Sequence, residues 1–116
     1  MSATILTITM NPCIDISATI PVLVPDKKLH CTHMKKEPGG GGINVSRVIT
    51  RFGGKSIALF PAGGYTGDFF ISMLKDEKVP VMHVLIQQHT RENIVVQEEK
   101  SALQYRFGMP GPQLSA

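Results

Sequence analysis

The chain has 116 residues, of which 12 are basic and 9 acidic, for a formal net charge of +3. That length makes one domain or part of one, large enough to bury about two thirds of the unfolded chain's surface. The charges are spread without a basic stripe, no apolar run approaches the ~20 residues that span a bilayer, and the two cysteines, Cys13 and Cys31, lack Cys-x-x-Cys spacing and a secretory leader. Nucleic acid and membrane partners are therefore not expected, and a reduced, cytoplasmic setting is.

Residues 4–10, rich in β-branched side chains, predict a buried strand that stops at Asn11-Pro12 and delivers Asp15 just past its end. Weak alternation from Ile14 to Lys36, interrupted by Pro21 and Pro25, predicts two extended pieces near 14–23 and 28–36, as in a partly exposed hairpin. His30, Cys31 and His33 lie close together on this segment but lack a fourth metal ligand and read as surface.

Pro38 is followed by Gly39, Gly40, Gly41 and Gly42 and then by a helical segment whose stripe is Ile43, Val45, Val48, Ile49 and Phe52, ended by Gly53-Gly54. Glycine lets a ligand approach the backbone, and a helix start offers unpaired N–H groups at its positive end. The run matches neither the Gly-x-x-x-x-Gly-Lys-Ser/Thr nor the Gly-x-Gly-x-x-Gly fingerprint, so it reads as a sugar or anion cradle and not a nucleotide loop. Asn44, just inside the helix, can aim an amide at a hydroxyl or phosphate.

A strand over 56–60, a turn at Pro61 to Gly64, a helix from about Thr66 to Asp76 and a strand over 79–87 follow. Phe70, Met73 and Leu74 read as core. Extended pieces at 92–98 and 103–107 flank a polar turn and predict a second exposed hairpin, with Glu98, Glu99 and Lys100 solvated. Strand–helix–strand–helix order predicts a parallel α/β sheet, with ligands at the strands' carboxyl ends and the two hairpins as an added β layer.

Several motifs together resemble the start of a sugar-phosphate kinase of the PfkB/ribokinase superfamily. They are Thr9-Met10-Asn11-Pro12 with Asp15, Pro38 through Arg47, Phe52-Gly53-Gly54, Gly63-Gly64-x-x-Gly67-Asp68 and Thr90-Arg91-x-Asn93. Phe60 to Gly64 and Gln104 to Pro112 narrow the resemblance to the minor 6-phosphofructokinase type. Related 1-phosphofructokinases and tagatose-6-phosphate kinases usually carry lysine where this chain has Gly41.

The resemblance implies a Rossmann-like ribokinase fold with a small β-sheet lid, the lid segments being about 14–36 and 91–108 of one kinase domain portion, residues 1–116. It implies a fructose 6-phosphate substrate, glycolysis as the setting, and a homodimer formed through the lid. Asp15 would hold sugar hydroxyls, Gly39 to Gly42 would lie against the sugar, Asn44 would bond it, and Arg91 would reach its phosphate. Lys28 matches a lid lysine near the active site, and His30 stands where close relatives carry arginine. Each also has a plainer reading: Asp15 as a turn cap, Asn44 as an early helix residue, Arg91 as a strand-end charge.

ATP and Mg2+ are implied for the complete enzyme, with neither expected to bind these residues tightly. The Gly-Ala-Gly-Asp segment that supplies such kinases' anion hole and general base does not occur among them, and Gly63 to Asp68 reads as turn and helix start, so no catalytic residue is assigned and the piece is expected to be inactive alone. A non-catalytic sugar-phosphate-binding or dimerising module is the alternative from another class. Apolar surface exposed at an edge of the sheet predicts aggregation or association through the lid.

Overall fold

The computed structural model describes residues 3–115, so the expected span of 1–116 passes beyond them at both ends. In chain order the elements are β1 (Thr4–Ile8), β2 (Cys13–Ile20), β3 (Thr32–Gly39), α1 (Gly41–Arg51), β4 (Lys55–Ala62), α2 (Gly64–Asp76), β5 (Val81–Leu85), β6 (Arg91–Glu98) and β7 (Gln104–Phe107). β1, β4 and β5 form a parallel sheet in the order β1-β4-β5. The other four strands form a second sheet in the order β3-β2-β6-β7, a lid in which two antiparallel hairpins are joined by parallel pairing of β2 with β6.

Both helices pack on one face of the parallel sheet. There Phe60 and Phe70 meet edge to face at 5.0 Å, among Ile14, Ile43, Ala58, Ala62, Leu74 and Val79. Alternation along β4 accounts for this side: Ser56, Ala58, Phe60 and Ala62 are buried beneath the helices. The opposite face is open, with Leu6, Ile8, Met82 and Val84 each more than half exposed. Exposed apolar surface thus lies on a whole face rather than along one edge.

The apolar stripe expected on α1 is not the face that packs. Ile43 and Ser46 are buried, whereas Val45, Val48 and Phe52 are exposed. The reason is a chain of buried hydroxyls: Thr7 Oγ1 and Ser46 Oγ are 2.6 Å apart, Ser46 Oγ and Ser56 Oγ 2.7 Å, and Ser56 donates to the Ile5 carbonyl. Small hydroxyl side chains let the helix approach closely while satisfying one another. Gly53, at φ +83, ends the helix, as expected from the sequence.

Two strands run through prolines that the sequence suggested would stop them. Pro38 is tolerated because β3 is an edge strand, and Pro61 because it lies past Leu59, the last residue that β4 pairs with β1. Glu98 is not solvated as expected: it is buried and accepts hydrogen bonds from the Leu23 N–H and the Ser101 hydroxyl, tying both hairpins together.

Candidate functional site: the root of the lid

The lid joins the core where β2 begins. Its register sets Cys13 between Gly39 and Arg91, and Asp15 between Glu37 and Asn93. Side chains alternate along strands, so these six positions share one face of the lid sheet. Ile14 and Ile16, on the other face, belong to or pack against the core. A polar, charge-bearing surface is thereby fixed on an apolar support.

Asp15 lies over the backbone of Gly39, where a Cβ would run into its carboxylate. The Cys13 thiol donates to Asp15 Oδ1 at 3.2 Å. Burial first, then the hydrogen bond to Asp15 and its charge, push the Cys13 thiol up to about 11. Glu37 is held below the usual carboxylate range, chiefly by its hydrogen bond with Lys35, whose Nζ is 2.9 Å away.

The four glycines divide by cause. Gly40, at φ +125, and Gly42 pack against Thr9 at the end of β1: added Cβ atoms would stand 2.7 Å from Thr9 Cγ2 and 2.5 Å from Thr9 Oγ1 respectively. Gly39 makes room for Asp15. Only Gly41 faces open space, with nothing within 4 Å of an added Cβ. Three of the four are thus required by the chain's own packing, and one leaves room for something else.

No side chain caps the start of α1, whose first helical hydrogen bond runs from the Asn44 N–H to the Gly40 carbonyl at 2.9 Å. The N–H groups ahead of Asn44 therefore carry the helix's positive end without a side-chain partner. Asn44 is exposed. Arg47 braces the loop from behind, donating to both Glu77 carboxylate oxygens at 2.9 and 3.0 Å and to the Pro38 carbonyl at 3.0 Å.

Arg91 donates through Nη1 to the Met109 carbonyl at 3.3 Å and through Nη2 to the Asn11 carbonyl at 3.2 Å, while its Nε is buried without a partner among the described residues. A guanidinium carries five N–H donors, so two carbonyls orient Arg91 without exhausting it. Asn93 accepts the Met109 N–H at 2.9 Å, holding the segment after β7 against the lid root.

Asp15, Gly39 to Gly42, Asn44 and Arg91 are thus gathered around one end of the lid. Lys28 is not: it is exposed in the loop joining β2 to β3, beyond Thr19. Asp15 to Thr19 alone spans about 13 Å at ~3.3 Å per strand residue. Cys13, Asn93 and the Thr9 hydroxyl, buried without a partner among the described residues, were given no role by sequence reasoning. Two-residue periodicity was the available signal for the first two, since Cys13 precedes Asp15 by two positions and Asn93 follows Arg91 by two.

A cleft of about 980 Å3 lies elsewhere. It follows the open sheet face past Ile8, Met10, Leu59 and Val84 to Leu114, and includes none of the predicted site residues. Its walls are mostly apolar, whereas hydroxyls and phosphate require donors and acceptors, so the chemistry favours the lid root.

The chain as a whole is similar to known proteins. The chain matches the pfkB family carbohydrate kinase family over residues 5–116. It is 49% identical over 111 residues to the ATP-dependent 6-phosphofructokinase isozyme 2 of Escherichia coli K12, a match covering 96% of this chain and 36% of that protein. The crystal structure of phosphofructokinase-2 from Escherichia coli in complex with fructose-6-phosphate superposes with a TM-score of 0.88 at 49% identity, over 96% of this chain and 37% of that one. A tetrameric inhibited form of that enzyme is also known, with a TM-score of 0.84. Ribokinase from Giardia lamblia, 14% identical, has a TM-score of 0.75 over 90% of this chain and 35% of its own, a likeness of fold alone.

The chain therefore belongs to the pfkB family of carbohydrate kinases and has the ribokinase fold, a parallel α/β sheet with a small β lid. It spans about a third of the length of the curated relatives it matches.

Proposed function

We propose that these residues are the sugar-binding, N-terminal portion of a cytoplasmic, ATP-dependent 6-phosphofructokinase, which transfers the γ-phosphoryl group of ATP to the 1-hydroxyl of fructose 6-phosphate. The observation that carries this reading is the meeting of Asp15, the glycine loop and the uncapped start of α1 at the root of the lid. The Asp15 carboxylate accepts hydrogen bonds from adjacent sugar hydroxyls, and Asn44 bonds the sugar from the helix start. Arg91, already oriented by two carbonyls, presents its remaining donors to the phosphate. Gly41 supports the 6-phosphofructokinase branch over 1-phosphofructokinase or tagatose-6-phosphate kinase, because packing leaves room there for the lysine usual in those enzymes.

Phosphoryl transfer depends on positioning and charge neutralisation, which ATP with Mg2+ supplies in a complete kinase. Mg2+ in such a site keeps water and is held by one or two carboxylates together with the phosphates of ATP, and none of the lid-root residues is called on to hold it. We therefore assign them substrate binding and no chemical step, and these 116 residues by themselves are inactive. Lys28, at the outer end of the hairpin, serves a sugar-phosphate site when the lid docks on a second copy, which joins its role to a lid-mediated homodimer.

The test is isothermal titration of the chain with fructose 6-phosphate beside Asp15→Asn and Asn44→Ala variants. Wild-type binding that is weak and is lost in both variants is expected. Equal binding by all three would remove these residues from the site, and turnover in a coupled kinase assay would refute the assignment of binding alone.

A further inference from the structure

Cys13 opens β2, is only 4% exposed, and is aimed along the site face of the lid by the two-residue spacing that carries Asp15 onto the same face. Its thiol donates to Asp15 Oδ1 at 3.2 Å. Gly39 stands opposite, and a Cβ there would lie 3.1 Å from Cys13 Sγ and 2.9 Å from Asp15 Cγ, so the thiol and carboxylate share the space that Gly39 leaves. Among the described residues Asp15 Oδ2 accepts no hydrogen bond.

We infer that Cys13 is a positioning residue for Asp15, its thiol holding Oδ1 so that Oδ2 stays over the Gly39 backbone, at the glycine loop, where it meets the sugar hydroxyls. The inference rests on the sugar-phosphate reading of Asp15. An apolar residue of similar size would fill the space beside Gly39 but leave the carboxylate free to rotate; a hydroxyl would replace the thiol as donor. Burial and the neighbouring carboxylate keep the thiol protonated, with its ionisation pushed up to about 11, so the donor persists across the neutral range. The charges facing it are Asp15 on its own strand and Arg91 on β6, which lowers its pKa against the effect of Asp15.

The test is a double-mutant cycle read by titration with fructose 6-phosphate on the whole chain, with Cys13→Ala and Cys13→Ser each made in the wild-type and Asp15→Asn backgrounds. One hydrogen bond of this kind predicts about threefold to tenfold weaker binding for Cys13→Ala. Cys13→Ser is expected to stay within about twofold of wild type by keeping a donor. In the Asp15→Asn background, where an amide oxygen accepts the thiol more weakly than a carboxylate, Cys13→Ala should cost less than in the wild-type background. Wild-type affinity in Cys13→Ala, equal loss in Cys13→Ser, or a loss as large in the Asp15→Asn background as in wild type would each overturn the role.

A second readout needs no ligand. With 13C-labelled cysteine, the NMR titration midpoint of Cys13 should fall in Asp15→Asn, because the carboxylate raises it. An unchanged midpoint would remove the contact and with it the inference, leaving the sugar-phosphate reading standing. Failure of the wild-type chain to bind would instead overturn that reading together with the role built on it, even with the titration as expected.

Discussion

Two glycine turns in this chain precede helices, and they differ in what fills the space that the glycines leave. Gly39 to Gly42 leads into α1 and Gly63-Gly64 into α2; both helices have a glycine N-cap and no capping side chain. The second turn is closed by protein. Thr90 accepts the Gly63 N–H through Oγ1 and donates its own N–H to the Gly63 carbonyl, the Thr66 hydroxyl bonds the Thr90 carbonyl, and the His89 ring sits against Gly64. The first turn is closed at three of its four glycines, by Thr9 and Asp15, and Gly41 remains open beside a carboxylate and an uncapped helix start. Glycine content is the same kind of signal at both turns, and what separates them is the space left unfilled at the first.

The sharpest way to break this comparison is to add single methyl groups. In Gly63→Ala the Cβ would run into the Gln88 carbonyl oxygen and stand 2.6 Å from that of Ile86, so the backbone must move, and a loss of about 3 kcal/mol is expected in thermal or urea unfolding. Gly40→Ala combines positive φ with the Thr9 methyl and should cost about 2 kcal/mol. Ser46→Ala, which cuts the hydroxyl chain holding α1 to the sheet, should cost about 1–2 kcal/mol. Gly41→Ala has room and should leave stability unchanged or raise it by about 0.5–1 kcal/mol, while weakening fructose 6-phosphate binding. A large destabilisation by Gly41→Ala would show that the first turn is as closed as the second.

Acid provides the mildest test, acting on the lid and leaving the turn at Gly63 untouched. Glu98 is held below the usual carboxylate range first by the Ser101 hydroxyl and then by the Leu23 N–H, and Glu37 chiefly by Lys35. Their folded pKa values are lowered, so the stability they add is present above the ordinary value of 4.5 and is lost as pH falls through the lowered values. Unfolding followed from pH 7 to 2 should show that loss below about pH 4.5, reduced in Glu98→Gln.

Much of the first turn and little of its setting were legible in the sequence. The glycines, the helix after them and Asp15 past the first strand follow from local patterns. The parallel sheet follows from strand–helix alternation, but the pairing of β2 with β6, which brings Arg91 beside Cys13, links distant segments and leaves no local trace. The buried face of α1 was misread because its sheet contact is made by Ser46, Thr7 and Ser56 hydroxyls, which do not count in an apolar stripe. Lys28 has a motif match, but its place at the far end of a hairpin could be known only once the register was fixed.

The central claim is that the lid root, and neither the Gly63 turn nor the open sheet face, receives the sugar phosphate. Amide chemical shifts followed by NMR during titration with fructose 6-phosphate test it most directly. The account predicts changes concentrated at Asn11 to Asp15, Gly39 to Asn44 and Arg91 to Asn93, with Gly63 to Gly67 and Val84 to Gln88 unmoved. Changes centred on either of those last two segments, or none at saturating ligand, would contradict it.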